Sequence, residues 1–140
     1  MKVIFLDIDG VLINDRSAMI GSDLPDQRCV ERLNRLLSVT EAVLVISSMW
    51  RIGRSVPELQ ELMSIWGVKA KVVDRTVYNC NWSRGQEILD WLRRQLGVES
   101  FVILDDTADM NGLTPHLILT NSAVGLTDAN VEEAIKRLAV

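Results

Sequence analysis

The sequence predicts an α/β fold built on a parallel sheet of about five strands with helices on both faces. Two observations lead to this fold class. Short apolar segments with little polar alternation recur along the chain, which is typical of strands buried on both faces of a sheet. Longer segments with apolar residues at helical spacing lie between them, and capping patterns mark where several of these begin.

Five apolar segments are the predicted strands. They are residues 3–6, 42–46, 70–73, 101–104 and 117–119. Each is short and rich in Val, Ile or Leu, as expected for strands inside a parallel sheet. Because right-handed crossovers connect parallel strands, few topologies are compatible with this order.

Four helices are predicted between and after these strands, beginning after Asp26, Ser55, Ser83 and Thr127. Ser55 with Glu58, and Ser83 with Gln86, have the spacing of a capping box. Glycine then follows two of the helices, where a left-handed residue commonly ends a helix. The alternation indicates a Rossmann-like fold in one domain, residues 1–140, without a linker.

Composition and charge exclude several classes of protein. The net charge of −4 argues against nucleic-acid binding by bulk charge alone. Two cysteines are too few for a disulfide framework, and no apolar run has the length of a membrane span. The apolar amino-terminal segment contains Asp7 and Asp9, which a secretory signal would not carry. We therefore expect a cytoplasmic protein with no membrane association and no obligate protein partner.

Polar residues follow three of the predicted strands at the point where each ends. They are Asp7 and Asp9 after the first strand, Ser47 and Ser48 after the second, and Asp105 and Asp106 after the fourth. The carboxyl ends of parallel strands meet at one edge of the sheet, where ligands bind in such folds. Four carboxylates at one place repel one another unless a cation is present, and oxygen ligands favour Mg²⁺. The sequence therefore predicts a magnesium site.

Each of these features also has a simpler explanation. Asp7 and Asp9 precede Gly10 in a pattern common in turns, and Ser47 has the residue type of a helix cap. The second acidic pair favours a functional site over a turn, because buried charges need partners. Arg84 lies in the first turn of its predicted helix, where the helix dipole disfavours a cation, so we expect it to face an anion rather than solvent.

In this order, the motifs VIFLDIDG, LVISS and VILDD resemble the first, second and fourth motifs of the haloacid dehalogenase (HAD) superfamily of phosphotransferases. The surrounding segments SSMWR, RGQEILDWL, ILDDTADM and PHLILT resemble the small HAD domains associated with RNA-repair proteins. The similarity extends over essentially the whole chain. It implies an enzyme, a HAD-type phosphatase that hydrolyses phosphoric monoesters with Mg²⁺ through an aspartyl-phosphate intermediate.

The resemblance also implies a role for each motif residue. Asp7 would attack phosphorus, and Asp9 would protonate the leaving oxygen and later activate water. Ser47 would donate a hydrogen bond to a phosphoryl oxygen. Mg²⁺ would be held by Asp7, by the main-chain carbonyl of Asp9, and by Asp105 or Asp106.

The third motif of the superfamily usually supplies a Lys to balance charge on the transferring group. No Lys lies between Lys71 and Lys136, so this chain departs from the pattern. Arg84 is the expected substitute because it opens the helix that precedes the fourth motif. Arg75 is the second choice.

Many relatives carry a cap domain, but this chain has no insertion long enough for one. An open site favours a large ligand that covers the site itself. The predicted substrate is therefore a large or nucleotide phosphomonoester, with a nucleic-acid 3′-phosphate as one candidate. Ser48, Arg51 and Arg54 are the predicted binding residues, with two solvated arginines as the alternative. Trp50 either stacks on a base or belongs to the core. The alternative is a catalytically inactive HAD-like module that binds phosphate or nucleic acid.

Overall fold

The computed structural model describes residues 1–21 and 23–139. Its strands are β1 (Lys2–Leu6), β2 (Val43–Ile46), β3 (Val72–Arg75), β4 (Ser100–Asp105) and β5 (Leu117–Leu119). They form one parallel sheet in the order β3-β2-β1-β4-β5. The predicted α/β class with a Rossmann-like parallel sheet is confirmed.

The helices are α1 (Asp15–Ile20), α2 (Gln27–Thr40), α3 (Val56–Ile65), α4 (Arg84–Arg93) and α5 (Asp128–Leu138). The capping boxes of α3 and α4 form as predicted, through Ser55 and Ser83. Helix α1 was not predicted, because its cap Asn14 pairs with Ser17 rather than with the Glu or Gln that marks a capping box. In the described part of the chain, no helix has the length and apolarity to cross a membrane.

Helices cover both faces of the sheet unequally. Helices α2, α3 and α5 pack on one face, in a core that includes Ile4, Leu6 and Leu104. Helix α4 packs on the other face, where Phe5 meets Trp91 edge to face at a centroid distance of 5.4 Å. Because side chains alternate along a strand, consecutive residues of β1 belong to different cores. The same alternation determines the face of the sheet toward which the residues just after each strand point.

Strand β3 lies two residues further along the chain than predicted. The apolar run ends at Val73, yet Asp74 and Arg75 continue the ladder by pairing with Val45 and Ile46 of β2. Strand β3 is at the edge of the sheet, where polar side chains are tolerated and commonly protect the open edge. Apolarity therefore marked only the first half of this strand.

The strand pairing brings three predicted site segments level with one another. Leu6 pairs with both Ile46 and Leu104, so the residues that follow these three are neighbours at the carboxyl edge. The ladder extends one step further: Asp7 N donates to the Leu104 carbonyl at 3.0 Å, and Ser47 N donates to the Leu6 carbonyl at 3.1 Å. The chain passes from β1 to β2 on one side of the sheet and from β4 to β5 on the other. Ligands bind in such sheets at the crevice where the connections diverge, which here lies between β1 and β4.

Candidate active site

The site lies beyond the carboxyl ends of β1 and β4, on the face that α4 covers. Side-chain alternation directs Asp7 to the same face as Phe5, and Asp105 to the same face as Ile103. Both acids therefore point toward the amino terminus of α4. Arg84 begins this helix and reaches back over the strand ends.

Three carboxylates converge here. One oxygen each from Asp7, Asp105 and Asp106 lies within 4.8 Å of the others. Asp7 and Asp105 are buried, and Asp106 is exposed. The sequence predicted four carboxylates at this point, but the side chain of Asp9 is not part of the group, because it turns toward Trp50 instead. For Asp9 this leaves the main-chain carbonyl as the predicted metal ligand.

Asp7 is held by one oxygen only. Its Oδ1 accepts a hydrogen bond from Ile8 N at 2.9 Å and lies 3.4 Å from Arg84 Nη1. Within residues 1–21 and 23–139, no donor bonds its Oδ2, which leaves that oxygen available for attack. Burial, together with the charge of Asp105, raises the pKa of Asp7 to about 7 although Arg84 acts against the shift.

Arg84 joins Asp105 to Asp7. Its Nη1 donates to Asp105 Oδ2 at 2.7 Å, and Asp105 Oδ1 accepts from Thr107 N at 2.9 Å. Both oxygens of Asp105 therefore already have protein partners. No protein donor bonds the Asp106 carboxylate in the described chain, so Asp106 is the freer ligand for a cation. Arg75 is exposed and points its guanidinium at the Arg51 carbonyl at 3.4 Å, away from this cluster.

Two glycines permit this close arrangement. Gly10 has a positive φ of 83°, and a Cβ there would lie 2.2 Å from Asp106 Oδ2. A Cβ on Gly85 would lie 2.5 Å from the main chain of Met110, so glycine lets the start of α4 approach the loop after β4. The glycine of the first motif thus makes space for the second acid of the fourth motif.

The two serines after β2 have different surroundings. Ser48 Oγ accepts from Trp50 N at 3.2 Å and caps the short 3₁₀ turn Met49–Arg51. Its side chain is fully buried within this cap, and the contact of Ser48 with substrate stays a prediction. Ser47 Oγ is buried without a hydrogen-bond partner in the part of the chain described. A hydroxyl left without a partner is costly, which fits a missing acceptor such as a phosphoryl oxygen.

Arg51 is not a surface residue. Its side chain is 0% exposed, and its guanidinium donates to the carbonyls of Ser47, Ser48 and Thr76. It also pairs with Glu87 of α4. The prediction that Arg51 contacts flanking phosphates is therefore wrong, because Arg51 binds the loop from inside. Glu87 had no distinguishing signal in the sequence, since an acid in the first turn of a helix is common.

Asp9, Trp50 and Arg54 line an open cleft of about 350 Å³ beside the acidic cluster, together with Met49 and Asp23. Trp50 Nε1 donates to Asp9 Oδ2 at 3.0 Å. The Arg54 guanidinium lies over the Trp50 ring at 5.2 Å and donates to the Trp50 carbonyl at 2.9 Å. Of the three predicted binding residues, Arg54 alone faces this cleft.

The residues at the strand ends fit a hard cation. Their donors are carboxylate oxygens, three acids lie close together, and part of the oxygen set has no protein partner. Burial and like charge oppose ionisation of Asp7 when no cation is present. The predicted Mg²⁺ is thus matched by a suitable acidic cluster.

A comparison with protein families agrees with this geometry. The family model described as the HAD domain in Swiss Army Knife RNA repair proteins matches residues 3–131, nearly the whole chain. No curated protein and no solved structure gives a significant match. The matched segment contains every residue of the acidic cluster, Arg84 and the Asp9 cleft. The chain therefore belongs to the family of HAD domains found in Swiss Army Knife RNA repair proteins.

Proposed function

We propose that this HAD domain is a Mg²⁺-dependent phosphohydrolase that forms a covalent intermediate on Asp7. The observation that carries the proposal is the position of Asp7, whose unbonded Oδ2 belongs to a carboxylate shared between Arg84 and the acidic cluster. A nucleophile at this position would lie between the guanidinium of Arg84 and the proposed Mg²⁺ site. Both arrangements stabilise a phosphoryl group as negative charge moves onto its oxygens.

In the first step, a carboxylate oxygen of Asp7 attacks phosphorus while the bond from phosphorus to the leaving oxygen breaks. The leaving oxygen takes a proton from the Asp9 carboxyl group and departs as an alcohol. Asp7 then carries the phosphoryl group as a mixed anhydride. Asp9 suits the acid role because its side chain stands outside the metal cluster and faces the open cleft.

In the second step, water attacks the phosphorus of the aspartyl-phosphate and gives a proton to the Asp9 carboxylate. The bond from phosphorus to the Asp7 oxygen breaks, which releases inorganic phosphate and restores the Asp7 carboxylate. Asp9 is then protonated again, so both residues return to their starting states.

Three further groups would bind the transferring phosphoryl group or the metal. Ser47 Oγ, which has no hydrogen-bond partner among the described residues, would donate to a phosphoryl oxygen. Arg84 would balance negative charge in place of the usual Lys. Asp7 and Asp106, with the Asp9 carbonyl, would hold Mg²⁺, while Asp105 fixes Arg84. When bound, Mg²⁺ would supply charge neutralisation and polarise the phosphoryl oxygens.

For the substrate we propose a large or nucleotide phosphomonoester, with a nucleic-acid 3′-phosphate as the leading candidate. The cleft beside Asp9 is open, and Arg54 on its wall can reach a flanking phosphate. The family description, which names RNA repair proteins, points to the same class of substrate. A nucleic-acid end would cover the open site and exclude water from it.

The test is a phosphate-release screen with 3′- and 5′-phosphorylated oligonucleotides, nucleotides, phosphosugars and phosphopeptides, each with Mg²⁺ and with EDTA. We expect Mg²⁺-dependent release that Asp7→Asn reduces at least about a thousandfold, because losing a nucleophile removes most of the catalysis. Release that survives in Asp7→Asn would contradict the covalent mechanism. Binding without any release by the wild type would instead support the inactive binding module.

A further inference from the structure

The side chain of Asp9 has one protein partner in the described structure, the indole N–H of Trp50. Nε1 of Trp50 lies 3.0 Å from Asp9 Oδ2, and no other hydrogen bond between described residues involves this carboxylate. Asp9 is exposed, so its side chain would otherwise rotate in solvent. The orientation of the predicted acid and base therefore depends on a tryptophan that neither the first nor the second motif includes.

The Trp50 ring is itself fixed from several sides. It packs edge to face on Trp66 at a centroid distance of 5.2 Å, and it belongs to the rim of the larger core. Arg54 covers the ring at 5.2 Å. Ser48 caps the turn that carries it. An aromatic ring held in this way is a rigid donor, whereas a water molecule or a long flexible side chain would not be.

An indole nitrogen donates a hydrogen bond and never accepts one. Asp9 Oδ2 must therefore be the accepting oxygen in both the ionised and the protonated carboxyl group. A carbonyl oxygen is a stronger acceptor than a carboxyl hydroxyl, so the bond from Trp50 favours the proton of the acid form on Oδ1, the oxygen that Trp50 does not occupy. General acid catalysis depends on such placement, because the proton must lie within hydrogen-bond reach of the leaving oxygen.

We propose that Trp50 is a positioning residue that keeps Asp9 Oδ2 occupied and leaves Oδ1 to exchange the proton with the leaving group. This inference rests on the proposed function and deepens it. Asp9 Oδ1 gives its proton to the leaving oxygen as the phosphorus–oxygen bond breaks, and Trp50 keeps its N–H throughout. The role predicts dependence on the leaving group. An alkoxide needs the proton, whereas p-nitrophenolate departs without it.

The experiment compares glycerol 2-phosphate with p-nitrophenyl phosphate in the presence of Mg²⁺. Values of kcat/KM report on steps up to formation of the phosphoenzyme, so they isolate the step in which Asp9 acts as an acid. In Trp50→Phe, kcat/KM for glycerol 2-phosphate should fall on the order of tenfold, because the lost hydrogen bond is to a carboxyl group that becomes negatively charged as it gives up its proton. The value for p-nitrophenyl phosphate should change much less.

Trp82→Phe is the matched control. Trp82 is exposed and lies in the loop before α4, and the hydrogen bonds of the described chain do not include its indole. The same chemical change there should leave the ratio of the two kcat/KM values unaltered. Each ratio is measured within one preparation, so a smaller folded fraction cancels. Trp50→Leu, which also lacks the N–H, should show the same selective loss if Trp50→Phe folds poorly.

The outcomes separate this inference from the proposed function. Wild-type protein that hydrolyses neither ester nor any phosphorylated oligonucleotide would refute the proposed function itself. Active wild-type protein, with both esters affected equally in the Trp50 variants or with neither affected, would overturn the positioning role alone. A selective loss with the alkyl ester, absent from Trp82→Phe, would establish it.

Discussion

Arg51 and Glu87 form an ion pair inside the protein, with Nη2 and Oε2 2.9 Å apart and side chains that are 0% and 6% exposed. Arg51 also donates to three main-chain carbonyls at the ends of β2 and β3, and Asn79 N donates to Glu87 Oε2 at 3.0 Å. The pair therefore connects the loop containing Ser47 to α4, the helix that presents Arg84. Burial is the main reason that the pKa of Arg51 is lowered.

Arg51→Met should destabilise the protein strongly. The variant leaves Glu87 buried without its partner and removes the donor from three carbonyls, so the free energy of unfolding should fall by about 3–5 kcal/mol. Denaturant unfolding measures this change. Arg54→Met is the matched control, because Arg54 is only partly buried and has no acidic partner in the described chain. A loss below about 1 kcal/mol in Arg51→Met would mean that the pair contributes like a surface pair.

The contribution of Asp7 to the stability of the metal-free protein should decrease as pH rises from about 4 to about 7. The pKa of Asp7 is about 7 in the folded protein and has an ordinary value of 3.8. Between these values the folded state binds more protons than the unfolded chain. The contribution is therefore complete below the lower pKa and is lost as pH rises through the upper one.

Asp7→Asn isolates this contribution, because the other acids titrate in both proteins. The stability of wild type minus that of the variant, measured by urea unfolding in EDTA, should fall by about 1.4 kcal/mol for each pKa unit of the shift. A difference that stays constant with pH would show that Asp7 titrates normally. With Mg²⁺ present the decrease should weaken, since the cation binds the ionised cluster.

Mg²⁺ should raise the melting temperature through Asp106. At roughly 100 times Kd, a ligand that binds only the native state stabilises it by ~2.7 kcal/mol. Asp106→Asn should reduce this response, because Asp106 belongs to the cluster and has no competing partner among the described residues. Asp109→Asn is the control, since Asp109 lies outside the cluster. Equal rises in melting temperature with Mg²⁺ in the two variants would show that Asp106 is not a metal ligand.

Gly10→Ala should weaken the Mg²⁺ response without replacing a ligand residue. The new Cβ would lie 2.2 Å from Asp106 Oδ2, so the carboxylate must move. Gly97→Ala has nearly the same backbone strain, with φ of 80° against 83°, but its Cβ would meet no atom within 4 Å. Both variants should lose some stability, whereas the thermal shift with Mg²⁺ should shrink only in Gly10→Ala. Equal shifts in the two would contradict the close packing of Gly10 on Asp106.

The fold was predictable because its signals are local. Apolar strands and capping boxes depend on neighbouring residues, and Ser55 and Ser83 cap their helices where the sequence placed them. The acidic cluster was predictable because strand ends in a parallel sheet meet at one edge. The exception within the sheet is β3, whose polar half is specified by pairing with β2.

The error at Arg51 has a different physical cause. An arginine beside a strand end has the same local pattern whether it faces a phosphate or a buried acid. Only the packing of α4 brings Glu87 to it, and this contact joins residues 36 positions apart (87 − 51). The bond from Trp50 to Asp9 likewise joins distant segments and leaves no signal in either motif.

The preference for a nucleic-acid end is the most demanding prediction. A 3′-phosphorylated oligonucleotide should have a higher kcat/KM than p-nitrophenyl phosphate, because contacts outside the reacting group contribute to transition-state binding. The advantage should shrink as salt concentration rises, since phosphate contacts release counterions. Arg54→Ala should reduce the advantage because Arg54 faces the cleft beside Asp9.

Arg93→Ala provides the control for charge in that experiment. Arg93 is exposed near the end of α4, far along the helix from Arg84, and its loss changes the net charge by the same amount. If both variants lower oligonucleotide turnover equally, the effect is one of general charge and Arg54 has no specific contact. If oligonucleotides are no better than the small ester in wild type, the nucleic-acid substrate is wrong. The proposal of phosphatase activity on other esters would remain open to test, because the roles proposed for Asp7 and its neighbours concern the phosphoryl group alone.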